Sequence, residues 1–327
     1  MTETRNILFW NVARDAALER SLAGLGHMDL VVAKEAAEMM ERLPEADGFI
    51  VSAAHVSPAL IDRLNGCEKL SWIHLINAGH DNVTRQSLPE GLVVTHTPGA
   101  GATTVAEHGM GLMLALARRL PEALEAQRSM WWDYSLGAKL SSLQGKTVMV
   151  LGFGHIGKAL AKLARVFGMR VVAVSKHGRP SDLADLSCTL VQAEEFLPDA
   201  DFVVVAAPLT AETKAFFNAE RLALIGARAF LINLSRGGIV DSDALSEKLH
   251  EGGLAGAALD VTEPEPLPAG HPLWTAPNLI LTPHAAAAGP TPHDCAHLVA
   301  ITTENARRFS RGEPLLHIVH PCTLQAA

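Results

Sequence analysis

The chain has 327 residues, of which 48% are hydrophobic and 19% charged, and a net charge of −8. These values describe a globular protein with room for two cores, and they exclude a disordered chain. An acidic balance without a basic block argues against a nucleic-acid partner.

The first residues, M-T-E-T-R-N, lead into a strand at 7–10 and not into a signal-peptide core. Helical spacing follows over 13–23 up to Gly24, then a strand at 30–33, a helix at 36–43 and a strand at 48–52. Pro58 opens the next helix, and strands are expected at 72–76 and 92–95. Such alternation implies a parallel α/β sheet. This region has no glycine fingerprint, so it is not expected to hold a cofactor. Its loop Ile76-Asn77-Ala78-Gly79-His80-Asp81 follows a strand, at the sheet edge where open α/β domains bind ligands. The small residues would let backbone N–H groups reach an anion; a plain strand-end turn is the alternative. Ser52-Ala53-Ala54-His55 is similarly placed.

Thr97-Pro98-Gly99-Ala100-Gly101 reads as a hinge. Thr103 or Thr104 is expected to cap a helix running to about 120, where Pro121 begins another. Gly109, Gly111 and Ala115 would let that helix pack closely. Its most apolar part, 109–117, is too short to span a bilayer. Trp131-Trp132 is expected to be core, with a subunit contact or a substrate mouth as the alternative for one of the pair.

The densest signal lies at 146–168, K-T-V-M-V-L-G-F-G-H-I-G-K-A-L-A-K-L-A-R-V-F-G. A buried-type strand at 147–151 precedes Gly152, Gly154 and Gly157, spaced G-x-G-x-x-G. Ile156, Leu160, Leu163, Ala164 and Phe167 follow at helical spacing, and Gly168 stands at the helix end. This is the context of a dinucleotide-binding turn. The first glycine turns the chain, the second admits a pyrophosphate, and the third packs helix on strand. The second strand, 170–174, ends without the acidic residue that would hold a ribose diol. Ser175-Lys176-His177-Gly178-Arg179 stands there instead. Ser175, Lys176 and Arg179 suit a 2′-phosphate, which predicts NADP over NAD; a solvated loop that leaves either cofactor usable is the alternative.

Further strands are expected at 201–206, 229–234, 257–261 and 279–282, and an amphipathic helix at 294–311 should pack back on the first domain. Three chemical groups fall at or just beyond strand ends: Arg236, the carboxylates Glu263 and Glu265, and His284. Each alone has an ordinary structural alternative. Together they suit reduction of a 2-oxo acid. A guanidinium holds a carboxylate and carbonyl, an imidazolium donates a proton as hydride arrives, and a carboxylate steadies the imidazolium. The four cysteines, Cys67, Cys188, Cys295 and Cys322, are scattered without C-x-x-C and read as free thiols of a reducing, cytoplasmic compartment.

Along nearly its full length the chain resembles the D-2-hydroxyacid dehydrogenase family. The motifs are Val105-Ala106-Glu107-His108, the Gly152–Gly157 turn, Pro208-Leu209-Thr210, Asn233 to Gly237, Asp260 to Pro268, and Pro283-His284. The resemblance implies a dinucleotide-binding Rossmann domain, 99–287, inserted in a flavodoxin-like substrate domain, 1–98 plus 288–327, with a cleft between them. It implies Arg236 as substrate anchor, Glu265 as partner of the histidine and His284 as acid/base. Spacing from Asp260 selects Glu265 over Glu263. With the fingerprint turn and the loop after the second strand, the expected cofactor residues are Thr104, Gly152, Phe153, Gly154, His155, Ile156, Gly157, Ser175, Lys176, Arg179, Pro208, Thr213 and Asp260. Asp260 would meet the nicotinamide carboxamide. Asn77, Ala78 and Gly79 would meet the substrate carboxylate. No metal is expected, and a homodimer joined through 105–120 is.

Two departures stand out: Ala206 where the family often has a histidine, and Asn77 where it often has a smaller residue. The chain ends soon after its last helix, as in short glyoxylate/hydroxypyruvate reductases and unlike long phosphoglycerate dehydrogenases. A corepressor-like cofactor sensor on the same fold is the alternative function. A formate-type dehydrogenase fits less well, because its relatives carry glutamine where Glu265 stands.

Overall fold

The computed structural model describes residues 4–319. They form two compact units, one of residues up to Gly101 with those from Pro290 onward, the other Ala102–Gly289.

The first unit contains β1 (Arg5–Trp10), β2 (Met28–Ala33), β3 (Gly48–Val51), β4 (Trp72–Leu75) and β5 (Val93–His96). All pairs are parallel, in the order β2-β1-β3-β4-β5, the flavodoxin-like arrangement. β3 and β4 are buried at every position. That explains their unbroken apolar runs, since both sheet faces are covered. The helices are α1 (Ala16–Ala23), α2 (Ala36–Arg42), α3 (Pro58–Leu64) and the short α4 (Asp81–Thr84). α1 starts three residues later than its apolar spacing suggests, because the Asp15 carboxylate caps the N–H groups of Ala17 and Leu18.

On β4, between β3 and the edge strand β5, His74 is fully buried. Its Nδ1 lies 2.8 Å from Thr95 Oγ1, and its Nε2 lies 3.1 Å from the hydroxyls of Thr97 and Thr302. Burial pushes its pKa down from 6.5 to about 3, so the ring is neutral.

The second unit opens with α5 (Ala102–Ala117) and α6 (Leu120–Arg128). There follow β6 (Thr147–Leu151), α7 (His155–Val166), β7 (Arg170–Val174), β8 (Leu186–Cys188) and β9 (Phe202–Val205). α8 (Ala219–Leu224), β10 (Phe230–Asn233), α9 (Ser242–His250), β11 (Gly256–Leu259) and β12 (Leu279–Leu281) complete it. The parallel sheet runs β12-β11-β10-β9-β6-β7-β8, a Rossmann order whose direction reverses between β6 and β9. β8 was not foreseen, being a three-residue edge strand with one buried position.

α5 begins at Ala102, so Thr103 and Thr104 lie in its first turn and not at the cap position before it; Thr104 is buried. Gly109 does permit close packing. A Cβ there would sit 2.5 Å from Leu234 Cδ1 and 3.0 Å from Leu160 Cδ1, whereas at Gly111 it would meet nothing within 4 Å. The core expectation for Trp131-Trp132 is overturned: the two are 62% and 80% exposed. α6 has no buried residue, so the segment after it has no core to enter.

α10 (Pro292–Ser310) belongs to the first unit. A capping box of Thr291 and Asp294 starts it, and Phe309 stacks on Trp72 with centroids 4.8 Å apart. Cys67, Cys188 and Cys295 are free thiols, while Cys322 and the opening M-T-E lie outside the described residues. No helix among the described residues is long and apolar enough to cross a membrane.

Candidate active site

The turn after β6 gives each fingerprint glycine a separate task. Gly152 has φ +96°, and a Cβ there would lie 2.4 Å from the Ala207 nitrogen. A Cβ on Gly157 would lie 2.1 Å from the Gly152 carbonyl oxygen, so only glycine lets α7 sit on this turn. Around Gly154 a Cβ would meet nothing within 4 Å. Gly154 is also the N-cap of α7 and supplies no side-chain cap, so the leading N–H groups face an open approach. Phe153 and Ile156 pack partly against the core, and His155 is exposed in the same turn. These features fit a pyrophosphate.

At the end of β7 the Ser175 N–H donates to the Cys188 carbonyl (3.1 Å). Lys176 Nζ lies 3.5 Å from Glu212 Oε1, and Arg179 is exposed. Glu212 is thus an acid beside the very loop that lacks one in sequence. It comes from the loop after Pro208. There the buried Thr213 hydroxyl donates to the Pro208 carbonyl (2.6 Å) and accepts from the Thr210 N–H (2.8 Å).

Arg236 follows β10. Asn233 braces this turn by accepting from the Ser235 N–H (3.1 Å) and donating to the Arg236 carbonyl (2.9 Å). The Ser235 hydroxyl is hydrogen-bonded to the Ala207 carbonyl. Arg236 Nη1 donates to the Ser235 carbonyl at 2.7 Å. A Cβ on Gly237 would come within 2.0 Å of the Thr262 carbonyl group, so Gly237 lets the arginine turn lie against the loop after β11.

That loop carries Glu265, whose Oε1 is 2.7 Å from His284 Nδ1. Glu265, and not Glu263, therefore partners the histidine. With Nδ1–H donating to the carboxylate, Nε2 is the ring atom left for proton transfer. His284 is a non-glycine residue at φ +51°. Its N–H donates to the Asp260 carbonyl (2.8 Å) and the Thr282 carbonyl (3.0 Å). The Asp260 carboxylate, 2% exposed as a residue, accepts from Thr282 Oγ1 (2.6 Å), the Ala285 N–H (2.9 Å) and the Ala286 N–H (3.0 Å). Beside them opens a pocket of about 450 Å³ lined by Asp260, Thr262, Glu265, Leu267, Trp274 and His284.

In the first unit, Asn77 Oδ1 accepts from Ser52 Oγ (2.9 Å) and the Ala53 N–H (2.7 Å), so this side chain ties together the two loops singled out in sequence. His96 Nδ1 lies 2.9 Å from the Ala78 carbonyl oxygen. No hydrogen bond among the described residues uses the N–H groups of Ala78 or Gly79.

Residues 110–286 match the family profile described as D-isomer specific 2-hydroxyacid dehydrogenase, NAD binding domain. The chain belongs to the D-isomer specific 2-hydroxyacid dehydrogenase family. The dehydrogenase is 35% identical to glyoxylate reductase of Thermococcus litoralis over 288 residues, 84% of each chain. It is 34% identical to D-3-phosphoglycerate dehydrogenase of Methanocaldococcus jannaschii over 91% of its own length, and spans 56% of that longer relative. A D-isomer specific 2-hydroxyacid dehydrogenase family protein from Aeromonas salmonicida superposes with TM-score 0.86 at 31% identity, covering 98% of this chain and all of that one. The dehydrogenase is therefore an oxidoreductase that uses a nicotinamide cofactor.

Two residues at this site escaped the sequence reading. Thr282 was only the neighbour of Pro283-His284, and His108 was a motif letter without a task. His108 Nε2 lies 3.1 Å from Thr282 Oγ1 and 3.6 Å from Asp260 Oδ1. Nothing local in sequence links α5 to the end of β12.

Proposed function

We propose that the dehydrogenase reduces a small 2-oxo acid, glyoxylate or hydroxypyruvate, to its D-2-hydroxy acid, with NADPH favoured over NADH. The observation that carries this reading is the 2.7 Å pair of His284 and Glu265, set beyond the same sheet that bears the fingerprint turn. When bound, the nicotinamide supplies the hydride. Arg236 binds the substrate's carboxylate and carbonyl, and the N–H groups of Ala78 and Gly79 hold the carboxylate. Protonated His284 gives its Nε2 proton to the carbonyl oxygen as it becomes an alkoxide. Glu265 keeps the ring oriented and offsets its charge before transfer. In the oxidative direction the neutral ring takes the hydroxyl proton at Nε2. Asp260 orients the nicotinamide carboxamide, and Thr104, Pro208 and Thr213 belong to the cofactor's surroundings.

The cofactor preference rests on Ser175, Lys176 and Arg179, which offer a hydroxyl and two cations where an acid would repel a 2′-phosphate. Residues 102–289 serve as the dinucleotide domain and the other unit as the substrate domain. We place the protein in the cytoplasm, in keeping with its free thiols. It acts as a homodimer. The subunit contact is joined through the 105–120 region, and we extend it to the exposed apolar side chains that follow from its end, Leu120, Leu124, Met130, Trp131, Trp132 and Tyr134.

Initial rates with glyoxylate, hydroxypyruvate, pyruvate and bulkier 2-oxo acids, each with NADH and NADPH, test the substrate and cofactor together. The highest kcat/KM should fall on one of the first two acids with NADPH. Higher values on the bulkier acids would overturn the substrate reading.

A further inference from the structure

The turn that carries His284 is held by a polar network reaching back to α5, and proton accounting fixes its direction. The Thr282 hydroxyl has one proton, and at 2.6 Å from Asp260 Oδ1 it gives that proton to the carboxylate. Thr282 Oγ1 is therefore an acceptor toward His108, and the 3.1 Å contact requires a proton on His108 Nε2. The same N–H points its positive end toward Asp260 Oδ1 at 3.6 Å. Asp260 in turn accepts from the N–H groups of Ala285 and Ala286, and its main-chain carbonyl accepts from the N–H of His284. Residue 284 thus keeps its left-handed backbone, φ +51°, because Asp260 grips the chain at three successive nitrogens.

We infer that His108 is a positioning residue for His284, acting through the Thr282 hydroxyl and the Asp260 carboxylate. This rests on the reading of His284 as the acid/base. His108 touches neither His284 nor Glu265. It holds Thr282 in the rotamer that satisfies Asp260, and so keeps the carboxylate aimed at the 284–286 turn. Its side chain is 26% exposed, so it is not a core filler whose loss would mainly open a cavity. The reaction needs the imidazole at hydrogen-bond distance from the carbonyl oxygen and held there to within about 0.5 Å, so a loosened turn costs rate more than affinity.

The test uses the full chain with His108→Leu, His108→Gln, Thr282→Val and the Leu/Val double variant, with His284→Ala as reference. Each is measured for kcat, for KM of glyoxylate and of NADPH, and for Tm. Losing one hydrogen bond that fixes a charged group should lower kcat about tenfold in His108→Leu, with KM for NADPH changed less than about twofold. Gln presents an N–H near the Nε2 position, so His108→Gln should recover kcat to within about threefold of the parent. Thr282→Val should resemble His108→Leu, and the double variant should be no worse than either single one, since all break the same chain. Unchanged kcat in His108→Leu while His284→Ala is inactive would overturn the inference and leave the acid/base reading standing. So would losses that add in the double variant, or a Gln variant as slow as the Leu variant. If His108→Leu does not fold, an unimpaired Thr282→Val would overturn it as well. A fully active His284→Ala would remove the reading beneath it.

Discussion

His284 Nδ1 and Glu265 Oε1 lie 2.7 Å apart, joined across the ends of β12 and β11. A positioned acid/base contributes about 10²–10⁴ in rate, so His284→Ala should lower kcat for 2-oxo acid reduction by that range. Glu265→Gln keeps the volume and removes the anion. A charge-assisted hydrogen bond of about 1.5–3 kcal/mol then predicts a kcat loss of about tenfold or more. Steady-state kinetics with both variants checks the pair. Parental turnover by either one contradicts it.

Cofactor choice turns on the loop after β7. Lys176→Ala with Arg179→Ala should raise KM for NADPH and leave kcat nearly unchanged, because the 2′-phosphate is remote from the hydride. Glu212 stands 3.5 Å from Lys176 and shares its charge with it. Glu212→Gln should therefore lower KM for NADPH, though modestly, since the pair is exposed and screened. Equal KM values for NADPH in the parent and the double-alanine variant would show that these cations do not meet the cofactor.

Gly237→Ala tests how Arg236 is placed. The added Cβ would come within 2.0 Å of the Thr262 carbonyl group, so the backbone must move. We expect a lower Tm and a raised KM for the oxo acid, since Arg236 leaves its place. A variant with parental Tm and KM would show that this turn yields without cost.

His74 makes the fold sensitive to acid. Its pKa is about 3 when folded and near 6.5 when exposed, so the unfolded chain binds the proton more readily. Its contribution is complete above about pH 6.5 and fades as pH falls from there toward about 3. Glu304, held down to about 2 by hydrogen bonds from Arg307 and Arg308, acts only below about 4.5. Between those limits urea midpoints should fall with acid, and His74→Gln should reduce the slope by roughly one proton. An unchanged slope would mean that another group governs this window.

Much of this molecule was legible because its signals are short and local. The strand-glycine-helix turn needs only residues 147–168. Arg236, Glu265 and His284 stand out because each is a charged or titratable group beside an apolar strand. What stayed hidden depends on approach across the fold. Glu212 meets Lys176 only once the loop after β9 lies beside the end of β7. His108 meets Thr282 only once α5 lies against the sheet. Asn77 ties its loop to Ser52 and Ala53 through its carboxamide oxygen, a link between residues 24 and 25 positions apart. Trp131 and Trp132 misled for a different reason. An apolar pair says that surface is to be covered, but not whether by its own chain or by another.

That surface gives a separate prediction. Trp131→Ser with Trp132→Ser should shift the assembly from dimer toward monomer in sedimentation at micromolar concentration. A parent already monomeric there would contradict the assigned contact.

The central claim is that His284, steadied by Glu265, moves the proton while a nicotinamide moves the hydride. The most direct test is NADPH oxidation with glyoxylate by the parent and by His284→Ala, at saturating concentrations of both substrates and neutral pH. Our account predicts turnover by the parent and a kcat about 10²–10⁴ lower in the variant, with NADPH binding retained. Equal kcat in the two proteins would contradict it.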